Sequence, residues 1–327
     1  MKVLVTGGSS LMGSRVAAAL LGRGDEVASF QRTRAPRLPD GVEQILGDVR
    51  DADAVARAVA GRDAVLHLAA KVGVDGARGE YESINVGGTR NVLDAVRAHR
   101  VERLVHVSSP SVAHAGEPLV GAGAGPATLD HGTAWYPATK AIAERLALGS
   151  ASDACGVVAL RPHLVWGPGD VQLVGRIVER ARAGRLALVG GGRALVDTTY
   201  IDNAVSALVA GLDAVRPGAP CSGRPYVVAN FEPRPIREIL EGICRAAGAP
   251  FAPRDVPLPV ATRLGTAIER AWLVLDRPGE PPLTRFLAEQ LGTAHWFDPR
   301  PVREALGWRP TVTIDEGLAA LAAAFAR

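Results

Sequence analysis

Lysine is scarce in this chain of 327 residues, and its three lysines are Lys2, Lys71 and Lys140. The other basic residues are arginines, which are scattered among acidic residues, and the net charge is only +3. Nucleic-acid binding usually depends on a basic stripe or patch, which such a distribution does not form. The sequence therefore predicts a solvated surface and no nucleic-acid partner.

Cysteine is equally scarce. The three cysteines, Cys155, Cys221 and Cys244, form no C-x-x-C pair and have no histidine at metal-ligand spacing. This composition argues against a disulfide framework and against a metal site. We expect free thiols in a reducing compartment and no bound metal.

Long apolar runs are also missing. The most apolar late stretch, 256–275, is interrupted by charged residues and by Pro257 and Pro259, so it is unsuited to span a bilayer. The sequence begins with a strand-like segment, 2–6, and no apolar leader precedes that segment. We expect a cytoplasmic protein without an integral membrane segment.

Short runs rich in valine and leucine alternate with alanine-rich helical segments, a pattern typical of α/β proteins. We predict a Rossmann-type doubly wound parallel sheet, built from residues 1–165 and 196–232. A smaller, mostly helical C-terminal substrate lobe is predicted from 166–195 and 233–327. The predicted strands are 2–6, 26–31, 45–49, 64–70, 104–111, 156–161 and 226–230. The predicted helices of the C-terminal part are 236–247, 263–273, 283–291 and 314–326.

The first strand leads into a glycine-rich turn with the pattern Thr6-Gly7-x-x-Ser10-x-x-Gly13. Backbone N–H groups at the start of the following helix suit a pyrophosphate, and the missing side chains let it approach. Ser10 stands where a glycine is expected in the middle of the pattern, and it keeps that position small. The alternative is a glycine-rich turn without a ligand. The predicted dinucleotide contacts of this turn are Thr6, Gly7, Ser9, Ser10, Leu11, Met12 and Gly13.

The end of the second strand determines which dinucleotide we predict. NAD-binding chains usually carry an acidic residue about 20 residues after the glycines, where it holds the ribose hydroxyls. This chain has Gln31 at that place, followed by Arg32 and Arg34, which suit a 2′-phosphate. We therefore predict NADP(H); the alternative is that both arginines are solvated loop residues. The other predicted cofactor contacts are Asp48, Val49, Ala69, Ala70, Lys140, Pro162 and His163.

Tyr136 and Lys140 are four residues apart in a segment of strong helix formers, so a helix would place both on one face. A nearby cation favours the phenolate form of tyrosine, so this pair suits acid–base chemistry. Ser109 lies at the carboxyl end of the fifth predicted strand, at the sheet edge where α/β proteins bind ligands, and is the predicted partner of a substrate carbonyl. Ser111 is the rival for that role. Asn85, near the start of a predicted helix, is either a polar anchor of the site or a helix cap.

Seven segments of the sequence carry a resemblance to a known family. They are Thr6-Gly7…Gly13, Gly47-Asp48, Ser108-Ser109, Tyr136…Lys140, 160–169, 306–310 and 314–318. The chain resembles an extended short-chain dehydrogenase/reductase along its whole length and, within that family, the 3β-hydroxysteroid dehydrogenase-like branch. The stretches 29–32, 108–114, 195–203 and 281–291 are most similar to a bacterial group that acts in long-chain olefin biosynthesis.

The resemblance implies an NADPH-dependent reductase of a hydrophobic β-keto acid, which would convert a 2-alkyl-3-oxoalkanoate into a 2-alkyl-3-hydroxyalkanoate. Ser109, Tyr136 and Lys140 would form the catalytic triad, with Tyr136 as the proton donor and Lys140 lowering the pKa of the phenol. The resemblance also implies a homodimer and an association with the other enzymes of the olefin pathway.

Several side chains outside the triad are candidates for the substrate site. Ser111, Trp166, Arg285 and Trp296 are predicted to contact the substrate, with Arg285 pairing its carboxylate. An apolar wall would suit two alkyl chains, although aromatic residues of this kind are equally often plain core. The candidates for that wall are Trp166, Trp272, Leu273, Phe286, Leu287, Trp296 and Phe297.

Three other functions fit the same sequence features. A hydroxysteroid dehydrogenase would use the same triad and the same apolar lobe. A nucleotide-sugar epimerase or dehydratase would need a polar pocket with cations for a diphosphate, which the apolar lobe disfavours. A non-catalytic NADPH-binding regulator would be expected to lack the tyrosine or the lysine, and this chain has both.

Overall fold

The computed structural model describes residues 1–73, 76–113, 117–129, 131, 134–275, 281 and 284–326, without the side chains of Leu273 and Phe286. Some residues of the stretches used above, namely His114, Thr133, Pro282 and Leu283, lie outside the described residues. The described strands are β1 (Lys2–Thr6), β2 (Glu26–Gln31), β3 (Glu43–Leu46), β4 (Ala64–His67), β5 (Arg103–Val107), β6 (Leu119–Ala122), β7 (Gly156–Pro162), β8 (Val165–Trp166), β9 (Ala187–Val189), β10 (Leu195–Val196), β11 (Thr199–Tyr200), β12 (Arg224–Val228), β13 (Arg234–Pro235), β14 (Arg254–Val256) and β15 (His295–Phe297).

Helices cover both faces of the central sheet and form most of the C-terminal part. The described α-helices are α1 (Leu11–Gly22), α2 (Ala52–Val59), α3 (Arg78–Tyr81), α4 (Gly88–Ala98), α5 (Trp135–Gly149), α6 (Val174–Arg182), α7 (Ile201–Ala214), α8 (Ile236–Ala246), α9 (Leu258–Val274), α10 (Arg285–Gly292), α11 (Arg300–Leu306) and α12 (Ile314–Phe325). A π-helical turn, Glu82–Gly87, leads directly into α4. Short 3₁₀ turns cover Pro110–Ala113 and Gly190–Gly192.

The central sheet has seven parallel strands in the order β12-β7-β5-β4-β1-β2-β3. Alternate residues of one strand face opposite sides, so both faces of such a sheet must be apolar. In β1, Val3 and Val5 pack with α1 and α7 on one side, whereas Leu4 packs with α2 and α4 on the other. This arrangement confirms the predicted Rossmann-type doubly wound sheet.

The C-terminal part is mainly helical, as expected, but it also carries short strands that were not predicted. Strands β13, β10, β15 and β6 form a second sheet, and β9 pairs with β14. Helices α6, α8 and α12 share one apolar core with Trp166. By contrast, Val302, Leu306 and Trp308 pack with the core of the central sheet, so this late segment lies against the nucleotide-binding half.

Most predicted boundaries agree with the structure within a few residues, and two differ in ways that bear on the site. Strand β3 ends at Leu46, so Asp48 lies in the loop that follows the strand rather than inside it. Helix α9 begins at Leu258 and is longer than predicted, because Pro257 precedes it and Pro259 lies in its first turn, where a proline is tolerated. In the described part of the chain, no helix is long and apolar enough to cross a membrane.

Candidate active site

Helix α5 carries the predicted tyrosine and lysine. It begins at Trp135, so Tyr136 lies in its first turn and Lys140 one turn further along. Pro137 is tolerated in that first turn because its missing N–H would have no helical partner there. Tyr136 is half-buried, whereas Lys140 is only 4% exposed and faces the sheet. The predicted spacing therefore gives the predicted arrangement of the two side chains.

Two serines after β5 complete a hydrogen-bonded chain that ends at the phenol. The Ser111 hydroxyl donates to Ser109 Oγ at 2.9 Å, and the Ser111 amide approaches the same oxygen at 3.3 Å. Ser109 in turn makes a hydrogen bond with the Tyr136 side chain. The structure thus places Ser109 against the phenol and Ser111 behind Ser109.

The acidity of Tyr136 differs from the expectation. Burial raises the pKa of its phenol, and the hydrogen bond with Ser109 lowers that pKa only in part. The ammonium of Lys140 donates instead to the carbonyl oxygen of Val107 at 2.6 Å. The expectation that Lys140 lowers the pKa of the phenol is therefore wrong for this structure. A phenol that keeps its proton at neutral pH is suited to donate it.

A buried ion pair lies one helical turn beyond Lys140. Glu144 accepts from two nitrogens of Arg161, at 2.7 and 2.6 Å, and neither side chain is more than 1% exposed. Arg161 also donates to the carbonyl oxygens of Ala124 and Gly125, in the segment that precedes α5. Burial lowers the pKa of Lys140 to about 8, and the nearby Glu144 carboxylate opposes that shift.

Asn85 is a polar anchor and does not cap a helix. Its amide accepts from the Lys71 amide at 2.7 Å, and it donates to the Lys71 carbonyl and to Thr139 Oγ1 at 3.1 and 3.0 Å. The residue sits in the π-helical turn, a distortion that is frequent at functional sites. Asn85 thereby joins the loop after β4 to the helix that carries Tyr136 and Lys140.

The glycine-rich turn fits a dinucleotide. Gly7 has a φ of 75°, and a Cβ there would lie 2.9 Å from the amide nitrogen of Ala69. A Cβ on Gly13 would lie 2.5 Å from the Gly7 carbonyl oxygen, so both positions require glycine. Ser10 caps α1 by accepting from Gly13 N at 3.0 Å. Ser9 and Ser10 are exposed, and Leu11 and Met12 are half-buried. Backbone N–H groups that no side chain covers, at the N-terminus of a helix, suit the binding of a pyrophosphate.

Two predicted cofactor contacts instead have structural roles. The side chain of Thr6 is fully buried and hydrogen-bonds to His67 and to the amides of Leu68 and Ala69. It ties β1 to the loop after β4 rather than presenting its hydroxyl to a ligand. Val49 is buried, and a side chain on Gly88 would meet it.

The predicted phosphate-binding arginines lie on the surface beside the cleft. Arg32 and Arg34 are exposed, and no ion pair is described for either guanidinium in the parts of the chain given above. Gln31 is buried, and its amide is held by Ser29 and Gln44. Asp48 pairs with Arg50 at 2.6 Å, which lowers the pKa of its carboxyl. A neutral amide therefore occupies the place of the expected acidic residue.

A cavity of about 360 Å³ opens at the carboxyl ends of the central strands. Ser109, Ser111, Tyr136 and Lys140 are among its lining residues. Its other described lining residues are Met12, Leu68, Ala70, Val72, Gly73, Val107, Ser108, Pro162, His163, Leu164, Val165, Gln172 and Gln290. The predicted contacts Ala70, Pro162 and His163 are therefore in the same cavity as the triad.

Three predicted substrate contacts are placed elsewhere. Trp166 is fully buried, and its indole N–H donates to Thr198 at 2.9 Å, which makes it a core residue. Arg285 is not among the described lining residues of the cavity and pairs with Glu289 on the surface of α10. The Trp296 ring packs against Gly121 in the second sheet. The apolar lining comes mainly from short aliphatic residues that precede or follow the central strands.

The other members of the predicted apolar wall are not among the cavity's described lining residues either. Phe297 is 3% exposed and packs in a small core with Val227 and Ala229. Trp272 and Leu287 are half-buried on α9 and α10. Leu273 and Phe286 belong to the side chains that the structure does not describe.

Asp197 has a buried carboxyl that bonds to Phe297, a residue whose ring packs against His163. The His163 ring packs edge-on against His295 and Phe297, with ring centroids 5.6 and 5.2 Å apart. Asp197 accepts from the Phe297 amide at 2.9 Å and donates its own amide to the His295 carbonyl at 2.8 Å. Burial raises the pKa of Asp197 to about 7, and a nearby Glu232 carboxylate adds to that rise.

Asp197 gives the folded protein a predictable pH dependence. Its folded pKa of about 7 exceeds the ordinary value of 3.8, so its contribution is complete below the lower value and is lost as pH rises through the upper one. We expect the free energy of unfolding to fall by on the order of 2–4 kcal/mol between pH 5 and 8 from this group. In an Asp197→Asn variant the denaturation midpoint should change much less over this range. Parallel pH curves for both proteins would contradict this assignment.

Sequence reasoning missed several residues around the triad. Glu144 continues the spacing of Tyr136 and Lys140 by four residues, which was a usable signal. His67 and His106 each interrupt an otherwise apolar strand, which also marks a special position. Gln172 and Gln290 had no such signal, because their place in the cavity depends on loop and helix packing.

The chain also matches a known family directly. Residues 4–258 match the 3-beta hydroxysteroid dehydrogenase/isomerase family. The chain belongs to this family. Its members are extended short-chain dehydrogenases/reductases, and the chain is accordingly an oxidoreductase. No cluster of three or more side chains that could hold a metal ion is found in the described segments.

Two bacterial relatives carry the name 2-alkyl-3-oxoalkanoate reductase. The protein of Stenotrophomonas maltophilia is 48% identical, and the alignment covers 100% of each chain. That of Shewanella oneidensis is 38% identical, with 98% of this chain and 85% of the relative covered. A 3-beta-hydroxysteroid dehydrogenase of Mycolicibacterium neoaurum is 31% identical, with 97% and 89% covered.

Solved structures share the fold at lower identity. MoeE5, in complex with UDP-glucuronic acid and NAD, is 24% identical with a TM-score of 0.75, covering 100% of this chain and 99% of its own. The epimerase Mth375 of Methanothermobacter thermautotrophicus is 20% identical with a TM-score of 0.78, covering 99% and 92%. At these identities the comparison supports the fold of the family member and nothing finer.

Proposed function

We propose that this chain is an NADPH-dependent reductase that converts 2-alkyl-3-oxoalkanoates into 2-alkyl-3-hydroxyalkanoates. The observation that carries the proposal is the convergence of Ser109, Tyr136 and Lys140 on the lining of one largely apolar cavity. The relative that is 48% identical and named for this reaction supports the choice of substrate. A nicotinamide cofactor is supported by the glycine-rich turn, whose backbone leaves room for a pyrophosphate.

The triad supplies the proton and holds the reacting oxygen. Bound NADPH supplies the hydride to the ketone carbon. Tyr136 donates its proton to the oxygen of that ketone, and Ser109 orients the same oxygen through its hydroxyl. Ser111 fixes the direction of the Ser109 hydroxyl by donating to it. Lys140 places a positive charge at the site. The low dielectric there strengthens its attraction to the negative charge that develops on the ketone oxygen.

The cavity suits a ketone with alkyl substituents. Its volume of about 360 Å³ lies in the range of small-molecule sites, and Met12, Leu68 and Leu164 provide apolar walls. The rim includes Val72, which is 43% exposed, so alkyl chains have a route out of the cavity toward the surface. We assign the polar rim residues Gln172 and Gln290 to the carboxylate end of the substrate. A homodimer and an association with olefin-pathway enzymes stay predictions.

NADPH rather than NADH is proposed because of Arg32 and Arg34. We expect the double variant Arg32→Ala/Arg34→Ala to bind NADPH roughly 10–100-fold more weakly, because the charge-assisted bonds to the 2′-phosphate are lost. Its affinity for NADH should stay unchanged. Fluorescence titration of both dinucleotides measures the two constants.

An arginine in the same loop provides the matched control. Arg37 is also exposed, and Arg37→Ala should leave both affinities at the wild-type values. If the double variant loses NADPH and NADH equally, the two arginines do not read the 2′-phosphate. If wild-type protein prefers NADH, the assignment to NADP(H) is wrong.

A substrate panel tests the reaction itself. NADPH oxidation would be measured with a 2-alkyl-3-ketoacid, a matched ketone without the carboxylate, a 3-ketosteroid and UDP-glucose. We expect the highest kcat/KM for the ketoacid and no turnover of the UDP-sugar. A higher kcat/KM for the steroid would favour the hydroxysteroid dehydrogenase function instead.

A further inference from the structure

His106, near the end of β5, is a buried histidine whose ring nitrogens both lack a hydrogen-bond partner in the described part of the chain. Its side chain is only 1% exposed. A neutral imidazole has one N–H donor and one acceptor nitrogen. Because buried polar groups in native proteins nearly always have a partner in the protein or in ordered water, His106 requires an explanation.

His67, the residue paired with His106 on the neighbouring strand, has a hydrogen-bond partner for each ring nitrogen. The register pairs Thr6 with His67 and His67 with His106, and the two imidazole centroids are 5.5 Å apart. His67 Nδ1 bonds to Thr6 Oγ1 at 2.8 Å, and its Nε2 bonds to Thr89 Oγ1 at 3.0 Å. The same row of side chains therefore leaves His106 without the partners that it gives to His67.

Near His106, the ammonium of Lys140 is a charged group with N–H donors for which the structure describes no hydrogen bond. It has three N–H donors, and the structure describes one bond, to the carbonyl of Val107, the residue after His106. The Lys140 charge lowers the pKa of both histidines, in addition to the larger effect of their burial. The other ionisable groups on this face, Glu144 and Arg161, are already occupied with each other.

We infer that an internal water joins an imidazole nitrogen of His106 to the Lys140 ammonium, and that His106 is thereby a positioning residue for this lysine. Two of the three N–H groups would then be anchored, one on Val107 and one on the water. The third N–H would be directed into the cavity, where Lys140 is a lining residue. The hydrogen bond would also favour the charged form of Lys140 over its neutral form. This role rests on the reduction proposed above.

The test compares His106→Leu with His106→Gln and with an exposed control, His99→Leu. We expect His106→Leu to keep the melting temperature near the wild-type value, since the better burial of an apolar side chain offsets the lost hydrogen bond to the water. NADPH affinity should stay within about twofold of wild type, while kcat falls about tenfold. The alkaline limb of the kcat–pH profile should move about one unit lower, because Lys140 loses its proton more easily. His106→Gln keeps a donor and an acceptor and should recover part of the loss.

Each outcome separates the possible roles of His106. Wild-type kcat in His106→Leu, or a lower kcat with an unmoved alkaline limb, contradicts the inference. A lower melting temperature with unchanged kcat identifies a merely structural histidine. If His106→Leu does not fold, the kcat and pH profile of His106→Gln decide the question alone. Activity retained by Tyr136→Phe would instead overturn the proposed reduction, whatever His106 does.

Discussion

Tyr136→Phe should lower kcat by about 10²–10⁴-fold, the usual contribution of a positioned general acid. Phenylalanine keeps the ring that lines the cavity but has no hydroxyl proton to give to the ketone oxygen. The glycine-rich turn and the arginines after β2 are unchanged, so we expect the dissociation constant of NADPH to stay within about twofold. Steady-state kinetics and a dinucleotide titration on the same preparation measure both effects.

Another tyrosine provides the matched control for this substitution. Tyr226 is buried in β12 at 7% exposure and is not among the described lining residues of the cavity. Tyr226→Phe should therefore turn over substrate at the wild-type rate. A Tyr136→Phe variant with wild-type turnover would remove the proton donor from the mechanism. Equal losses in both variants would point to a general packing effect.

Arg161→Met should produce the largest loss of stability among single substitutions near the site. The change removes both bonds to Glu144 and leaves its carboxylate buried without a partner. Breaking a buried pair in this way costs about 3–5 kcal/mol. The loss also releases the carbonyls of Ala124 and Gly125, which Arg161 holds. A lower denaturation midpoint in urea measures the effect.

Two further variants separate the buried charge from the packing of the arginine. The double variant Arg161→Met/Glu144→Leu should recover most of the stability, because an apolar pair no longer carries an uncompensated charge. Arg285→Ala removes an exposed pair with Glu289 and should change stability by less than about 1 kcal/mol. An Arg161→Met midpoint equal to wild type would mean that Glu144 finds another partner, such as Lys140.

The proximity of the three proposed catalytic residues was predictable because its signals are local or follow from topology. Tyr136 and Lys140 are one helical turn apart, so their common face follows from the geometry of a helix. Ser109 follows a strand of a parallel sheet, and such strand ends meet along one edge. The choice between Ser109 and Ser111 required coordinates, because two residues of one short turn differ only in where their hydroxyls point.

Three of the four predicted substrate contacts are not among the described lining residues of the cavity, and they share a physical reason. Trp166, Arg285 and Trp296 were chosen by residue type, yet a tryptophan fills a core as readily as it lines a pocket. Arg285 pairs with Glu289, four residues away on the same helix. Residue type alone does not distinguish such a local pair from a contact with substrate. Packing between segments that are distant in the chain decided the placement of Trp166 and Trp296.

The sequence by itself determined the doubly wound sheet, the glycine-rich turn and the spacing of the acid–base pair, because apolar periodicity and helical geometry act over a few residues. Only the tertiary structure decided which polar groups are buried together. Lys140 lies near His106, Glu144 pairs with Arg161, and Asp197 bonds to Phe297, whose ring packs against His163. The physical reason is that desolvation and hydrogen bonding depend on neighbours brought from distant parts of the chain, and these neighbours set the charge of each group.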